Sequence, residues 1–270
     1  MKTSFLIRAT SGAVVLTILS WITTSVQGES HELVYYLWVF PANFLITAIL
    51  GYYIHKSNLT GLKLCISVFI IFFVIGHFNL LVEAWIFNVT SRPETNSQIF
   101  RGFIVCLIFS PIYVYLWGKI RGETTGLQFE PRSISGWIWR ICLTIICYLF
   151  IYLLAGFILQ YLYPSLLEFY EGKLPSFEIM IKTQLFLRAP LFAVVALLIL
   201  RTMDVNLNQR IIVVGLVFTI IGGLAALIPP SDLMPQHIRI AHGLEVSLSN
   251  FVYGVLVGRL LGQKRVDPKN

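Results

Sequence analysis

Apolar residues come in eight long runs along this chain, separated by short polar stretches. The runs cover 6–26, 33–54, 63–87, 99–119, 136–162, 179–201, 209–229 and 239–261. Each is close to the roughly 20 residues that carry an α-helix across a hydrocarbon layer. Backbone N–H and C=O groups find no water there, so they must bond within the segment, as a helix does. The pattern predicts an all-α polytopic bundle of about eight transmembrane helices, one integral membrane domain over 1–270 with no soluble domain. The first run follows Met1-Lys2-Thr3 and ends at Ser25-Val26-Gln27-Gly28, the outline of a cleavable signal peptide. Its length and Arg8 favour a retained span.

The last run, from Arg239 to Leu261, breaks the pattern most. At about 100° per residue, His242, Glu245, Ser249 and Tyr253 fall on one stripe. A second stripe is small: Gly243, Ser247, Gly254, Gly258 and Gly262. Small residues four apart let a second helix approach closely in a membrane, so Gly254, Gly258 and Gly262 predict a helix–helix contact.

Composition settles the class. The chain is 57% hydrophobic and 12% charged, with a mean hydropathy of +0.78. No soluble domain of 270 residues hides that much apolar surface. The net charge of +7 would suit nucleic acid, but the basic residues are scattered through short loops. The positive-inside bias accounts for them instead, and no nucleic-acid partner is expected. With the N-terminus in the cytoplasm, fourteen of the twenty Lys and Arg lie inside. The other six are Arg92, Arg101, Lys173, Lys182, Arg188 and Arg239. The reading is a multi-pass protein of the cell membrane with both termini cytoplasmic. The longest cytoplasmic connector, Lys119 to Ser135, reads as irregular, with Ser133 or Ser135 capping the fifth span. The outer loop 163–178 reads as holding a short interfacial turn. The four cysteines, Cys65, Cys106, Cys142 and Cys147, sit inside apolar runs and read as small core residues.

This topology also fixes depth. Glu83, Arg101, Arg188, Arg239, His242 and Glu245 all fall in the outer halves of their spans, whereas the inner halves are nearly pure Leu, Ile, Val and Phe. Ionisable groups at such depth are costly and rarely face lipid, so each is a candidate site residue. Asn79 shares a helix face with Glu83, and Gln184 with Arg188. The expected site is a positively charged pocket in the outer leaflet. Arg188 and Arg239, with Arg101, Asn79, Gln184 and Ser249, would hold an anionic amphipathic ligand, a lipid or a lipid-linked head group. His242 would carry a proton, oriented by Glu245 or Glu83.

Competing readings are purely structural ion pairs, with Glu83 and Glu245 matched to Arg188 and Arg239, and a metal site built on His242 and Glu245 with Glu83 and His77. The HxxE spacing is weak evidence for metal, and no metal or other cofactor is expected. A solute or ion permease is a further alternative, for which the inner halves offer few polar residues. A non-catalytic partner subunit, joined through the glycine stripe, is another. No motif decides whether the protein is an enzyme, and Met234 to Asn250, MPxxxRxxHxxExxxSN, carries no activity by itself.

Overall fold

The computed structural model describes residues 2–26, 32–164, 171–172, 174–231 and 234–266. Lys173, Gln27, Gly28 and residues 165–170 of the loop expected to hold an interfacial turn lie outside them. Among the described residues eight helices are each long and apolar enough to cross a membrane, the architecture of a multi-pass membrane protein. They are α1 (Lys2–Val26), α2 (Leu33–Lys56), α3 (Gly61–Ile86), α4 (Arg92–Leu116), α5 (Ile134–Leu162), α6 (Phe177–Thr202), α7 (Leu207–Leu227) and α8 (Gln236–Leu261). Among the described residues there are no strands, only the isolated bridges Ser57–Met203 and Phe129–Arg265.

The ends of the helices follow local chemistry that hydropathy does not register. α4 begins seven residues before the apolar run because Ser91 caps it: its hydroxyl accepts from Glu94 N, and Pro93 occupies the first turn. It stops at Leu116 because Gly118 takes φ +70°, with Gly118 N bonded to Tyr115 O at 2.8 Å and Lys119 N to Val114 O at 3.2 Å. That is a Schellman stop. α3 ends the same way on Asn88, at φ 47°, with Val89 N on Ala84 O at 3.1 Å. Ser133 caps α5, accepting from Gly136 N, and Asn206 caps α7, accepting from Gln209 N.

The up-down order gives the bundle two ends. The one where α1 starts and α8 stops is here the near end, and the other the far end. α7 is the most enclosed helix and α5 the least, with 61% and 11% of their central residues buried. α1 is a full member of the bundle. Its Ala9, Ala13 and Leu16 are buried, Thr47 donates to Ala9 O at 2.9 Å, and Asn43 donates to Thr17 Oγ1 at 3.0 Å.

The glycine stripe of α8 packs on α7 of the same chain. A Cβ on Gly254 would stand 2.6 Å from Gly215 Cα, and one on Gly258 3.1 Å from Ile211 Cα. Gly262 is not in the helix; it is the C-cap residue, its N–H bonded to Gly258 O.

Three helices contain a wide π-turn with i→i+5 bonding: Val74–Phe78 in α3, Gln184–Arg188 in α6 and Ile220–Leu224 in α7. The turns of α3 and α7 meet mid-bundle, where Cβ atoms on Gly76 and Gly222 would press on Ile221 and Ile75 at 2.8 and 3.2 Å. Asn250 of α8 donates to Phe218 O and Gly222 O of α7, satisfying carbonyls at that irregular stretch. The centre of the near half is closed, although an open apolar groove of about 470 Å³ lies on its flank between α2 and α7, lined by Ile49, Tyr52, Gln209 and Ile212 among others. Leu50, Ile54, Leu64, Val68 and Ile199 are fully buried, and Tyr53 bonds to Ser67 and, at 2.8 Å, to Thr202.

Candidate functional site

The expected polar residues sort into three groups on the far side of the mid-plane. The first is a buried network on Arg188. The π-turn Gln184–Arg188 places this side chain against α3, and Pro190, which has no N–H to give, follows directly. Arg188 Nη1 lies 2.8 Å from Glu83 Oε2 and donates to Gln184 Oε1 at 3.3 Å, and Nε donates to Asn79 Oδ1 at 3.1 Å. Tyr152 of α5 donates to Glu83 Oε1 at 3.0 Å, and the guanidinium lies 5.9 Å from the centres of both the Tyr148 and Tyr152 rings. Arg188 is 7% exposed and Glu83 27%. A charge this deep is tolerable because a carboxylate and two amide oxygens face it.

The second group is on α8. His242 Nδ1 lies 3.2 Å from Glu245 Oε2, without hydrogen-bond alignment. Ser249 donates to Glu245 Oε1 at 3.3 Å. Tyr148 joins this group to the first: the Arg188 guanidinium lies 5.9 Å from its ring centre, and its ring packs 4.8 Å from that of Tyr253 on α8. α6 packs against both α3 and α8, its Phe192 ring 5.8 Å from that of Tyr253, and Tyr148 of α5 stands between the two polar groups.

The third group lines a cavity of about 370 Å³ among α1, α2, α3, α4 and α7. Thr23, Thr24, Tyr35, Gln98 and Arg101 stand towards its far end, and Leu16, Ile46, Phe72, Val105 and Ile221 lie deeper. His77 and Asn43 sit between these levels. His77 is held against α4 by Gly102, where a Cβ would stand 2.5 Å from the imidazole Cγ. The buried His77 Nε2 has no hydrogen-bond partner among the described residues. The meeting π-turns of α3 and α7 contribute Gly76 and Ile221 to the wall.

Several expected partnerships are replaced. Arg101 faces the cavity and not the Arg188 network. Glu245 pairs with His242 on its own helix rather than with Arg239. Arg239 stands in the first turn of α8, half-buried, with no ion pair among the described residues. His77 and Glu83 diverge to different faces of α3, so they do not complete a metal set with His242 and Glu245. Among the described residues no cluster of three or more His, Cys, Asp or Glu could hold a metal ion.

The sequence reading missed Tyr148 and Tyr152, although a tyrosine pair four apart in mid-span is itself a signal, since tyrosine prefers the membrane surface. It also missed Thr23 and Thr24 of α1 and Tyr35 of α2. Their far-end positions face in only because α1 packs beside α2 and α4. Comparison with protein-family models, with curated proteins and with solved structures found no match to this chain.

Proposed function

We propose that this protein binds an anionic amphipathic molecule, a lipid or lipid-linked species, in the far-end cavity, and that this end faces away from the cytoplasm. The charge bias of the loops supports the orientation. The cavity carries the reading: a guanidinium, an amide and hydroxyls near the mouth, apolar walls below, and an unsatisfied imidazole nitrogen between. A charged head would rest on Arg101 and Gln98, with His77 Nε2 exchanging a hydrogen bond or a proton with it, and an apolar tail would lie against Leu16, Ile46 and Phe72. A ligand group at His77 would relieve the cost of a buried polar atom without a partner. The Arg188 network is better suited to tying α3 to α6, which fixes the height of His77, because its guanidinium is already matched by Glu83, Asn79 and Gln184. The fully buried Leu50, Ile54, Leu64, Val68 and Ile199 at the centre of the near half favour binding or processing over a continuous path.

The test uses dodecyl phosphate as probe and dodecanol as its uncharged counterpart. Dodecyl phosphate should raise the Tm of the purified protein saturably, and Arg101→Gln should weaken its apparent affinity about tenfold or more, the scale of a lost charge-assisted hydrogen bond. Equal responses of the wild type and Arg101→Gln would defeat the proposal. Arg101-dependent accumulation of the probe inside liposomes would replace it with permeation.

A further inference from the structure

At the near end, five arginines gather around three aromatic rings. Arg201, in the last turn of α6, stands 4.7 Å from the centre of Phe129 and 5.3 Å from that of Trp137. Arg210 of α7 covers Phe129 at 5.2 Å, Arg132 covers Trp137 at 4.5 Å, and Arg140 covers Trp139 at 4.1 Å. Arg265 lies beside this ladder and is neutralised by Asp204. Among the described residues none of the other four has an ion pair. Burial, with the like charges of Arg140 and Arg201 added to it, lowers the pKa of Arg132 from its ordinary value.

Two of these four have evident structural work. Arg132 donates to Leu260 O, Leu261 O and Gly262 O, closing the C-terminus of α8. Arg210 is 1% exposed and donates to Leu200 O and Gln263 O, closing α6 and fixing the tail, yet its Nε has no hydrogen-bond partner. Cations suit helix C-termini, so both are accounted for. The same does not hold for Arg140 and Arg201. Arg140 gives one bond, to Gly136 O at 2.9 Å, and Arg201 makes only ring contacts among the described residues. A guanidinium has five N–H donors. Both are half-buried at the edge of the apolar belt, beside Trp137 and Trp139, the depth of lipid phosphates. Buried or half-buried cations without carboxylates call for a counter-charge.

We propose that Arg140 and Arg201, backed by Arg132, form a phosphate site for the head group of an anionic lipid in the near-end leaflet. Planar guanidiniums match phosphate oxygens by bidentate bonding, and the indoles hold the forks flat for it. This site is separate from the far-end cavity and stands whether or not that cavity binds a ligand.

The test is run in Arg101→Gln, so that the far-end cavity contributes little. The full-length protein in detergent is titrated with dioleoylphosphatidylglycerol, dioleoylphosphatidylcholine or inorganic phosphate, with Tm and native mass spectrometry as readouts. Phosphatidylglycerol should raise Tm saturably and remain bound in the gas phase. Replacing Arg140→Gln and Arg201→Gln together should weaken its apparent affinity about tenfold or more per arginine. Arg265→Gln, at the same end but already neutralised by Asp204, should keep the full response. Should the double variant fail to fold, Arg201→Lys retains the charge without the fork and should bind several-fold less tightly. A response to inorganic phosphate matching that to phosphatidylglycerol would support the phosphate site but assign it to a soluble ligand. Equal affinity in the double variant, or equal responses to phosphatidylglycerol and phosphatidylcholine without one to inorganic phosphate, would overturn it.

Discussion

Arg188 illustrates how a side chain that is costly in hydrocarbon becomes part of a frame. Its donors meet Glu83, Asn79 and Gln184, and two tyrosine rings lie nearby. Removing one member leaves the others uncompensated. Arg188→Met should therefore destabilise the protein by about 3 kcal/mol, the lower part of the range for a broken buried pair, because Glu83 is 27% exposed. Glu83→Gln should cost less, since the amide still accepts from Tyr152. Combining the two should recover part of the loss, as neutral replacements of buried pairs often do. Thermal unfolding of the two single variants and the double variant in one detergent measures the coupling. Strict additivity would show that the 2.8 Å contact carries no interaction energy.

Helix packing sets the next level. Along α8, small residues serve different purposes according to what lies opposite. A Cβ on Gly254 would meet the backbone of α7 at Gly215, which cannot yield without separating the helices. On Gly243 the nearest atoms, both from Leu227, would be 3.8 Å away, an ordinary contact. Gly254→Ala should thus destabilise by about 1–3 kcal/mol through overpacking. Gly243→Ala should be neutral or stabilise by up to about 1 kcal/mol, the helix preference of Ala over Gly. Comparable Tm changes in the two variants would refute the close approach of α7 and α8. The π-turns belong to this scale as well. Those of α3 and α7 meet beside the cavity, and that of α6 delivers Arg188 to α3, so each irregular stretch borders a polar group.

For the whole molecule, the two ends differ in chemistry. The far half holds the Arg188 network, the His242–Glu245 contact and the cavity of about 370 Å³, and the near half has buried aliphatics at its centre, an open apolar groove between α2 and α7, and a cluster of arginines at its end. The proposed orientation makes a direct prediction. In a variant without the native cysteines, Glu94→Cys at the far end should react with a membrane-impermeant maleimide in intact cells. Gly126→Cys in the near-end connector should react only after the membrane is opened. The reverse pattern would turn the protein over, placing the cavity on the cytoplasmic face.

By itself the sequence determined the eight spans, since a run of apolar residues in lipid has little choice but to close its backbone bonds as a helix. It also determined which polar residues lie at which depth, because depth follows from position along a span. The pairing of Glu83 with Arg188, and of Arg188 with Asn79 and Gln184, was within reach of that ruler. Which faces turn towards which neighbours was not, because rotation and contact depend on how all eight helices pack. Tertiary structure alone sent Arg101 to a cavity with α1 and α2, and set Tyr148 and Tyr152 of α5 beside Arg188 and Glu83. Each follows from the same physics: a polar side chain in a membrane goes to the nearest group that can satisfy it, and only the packed bundle decides which group is near.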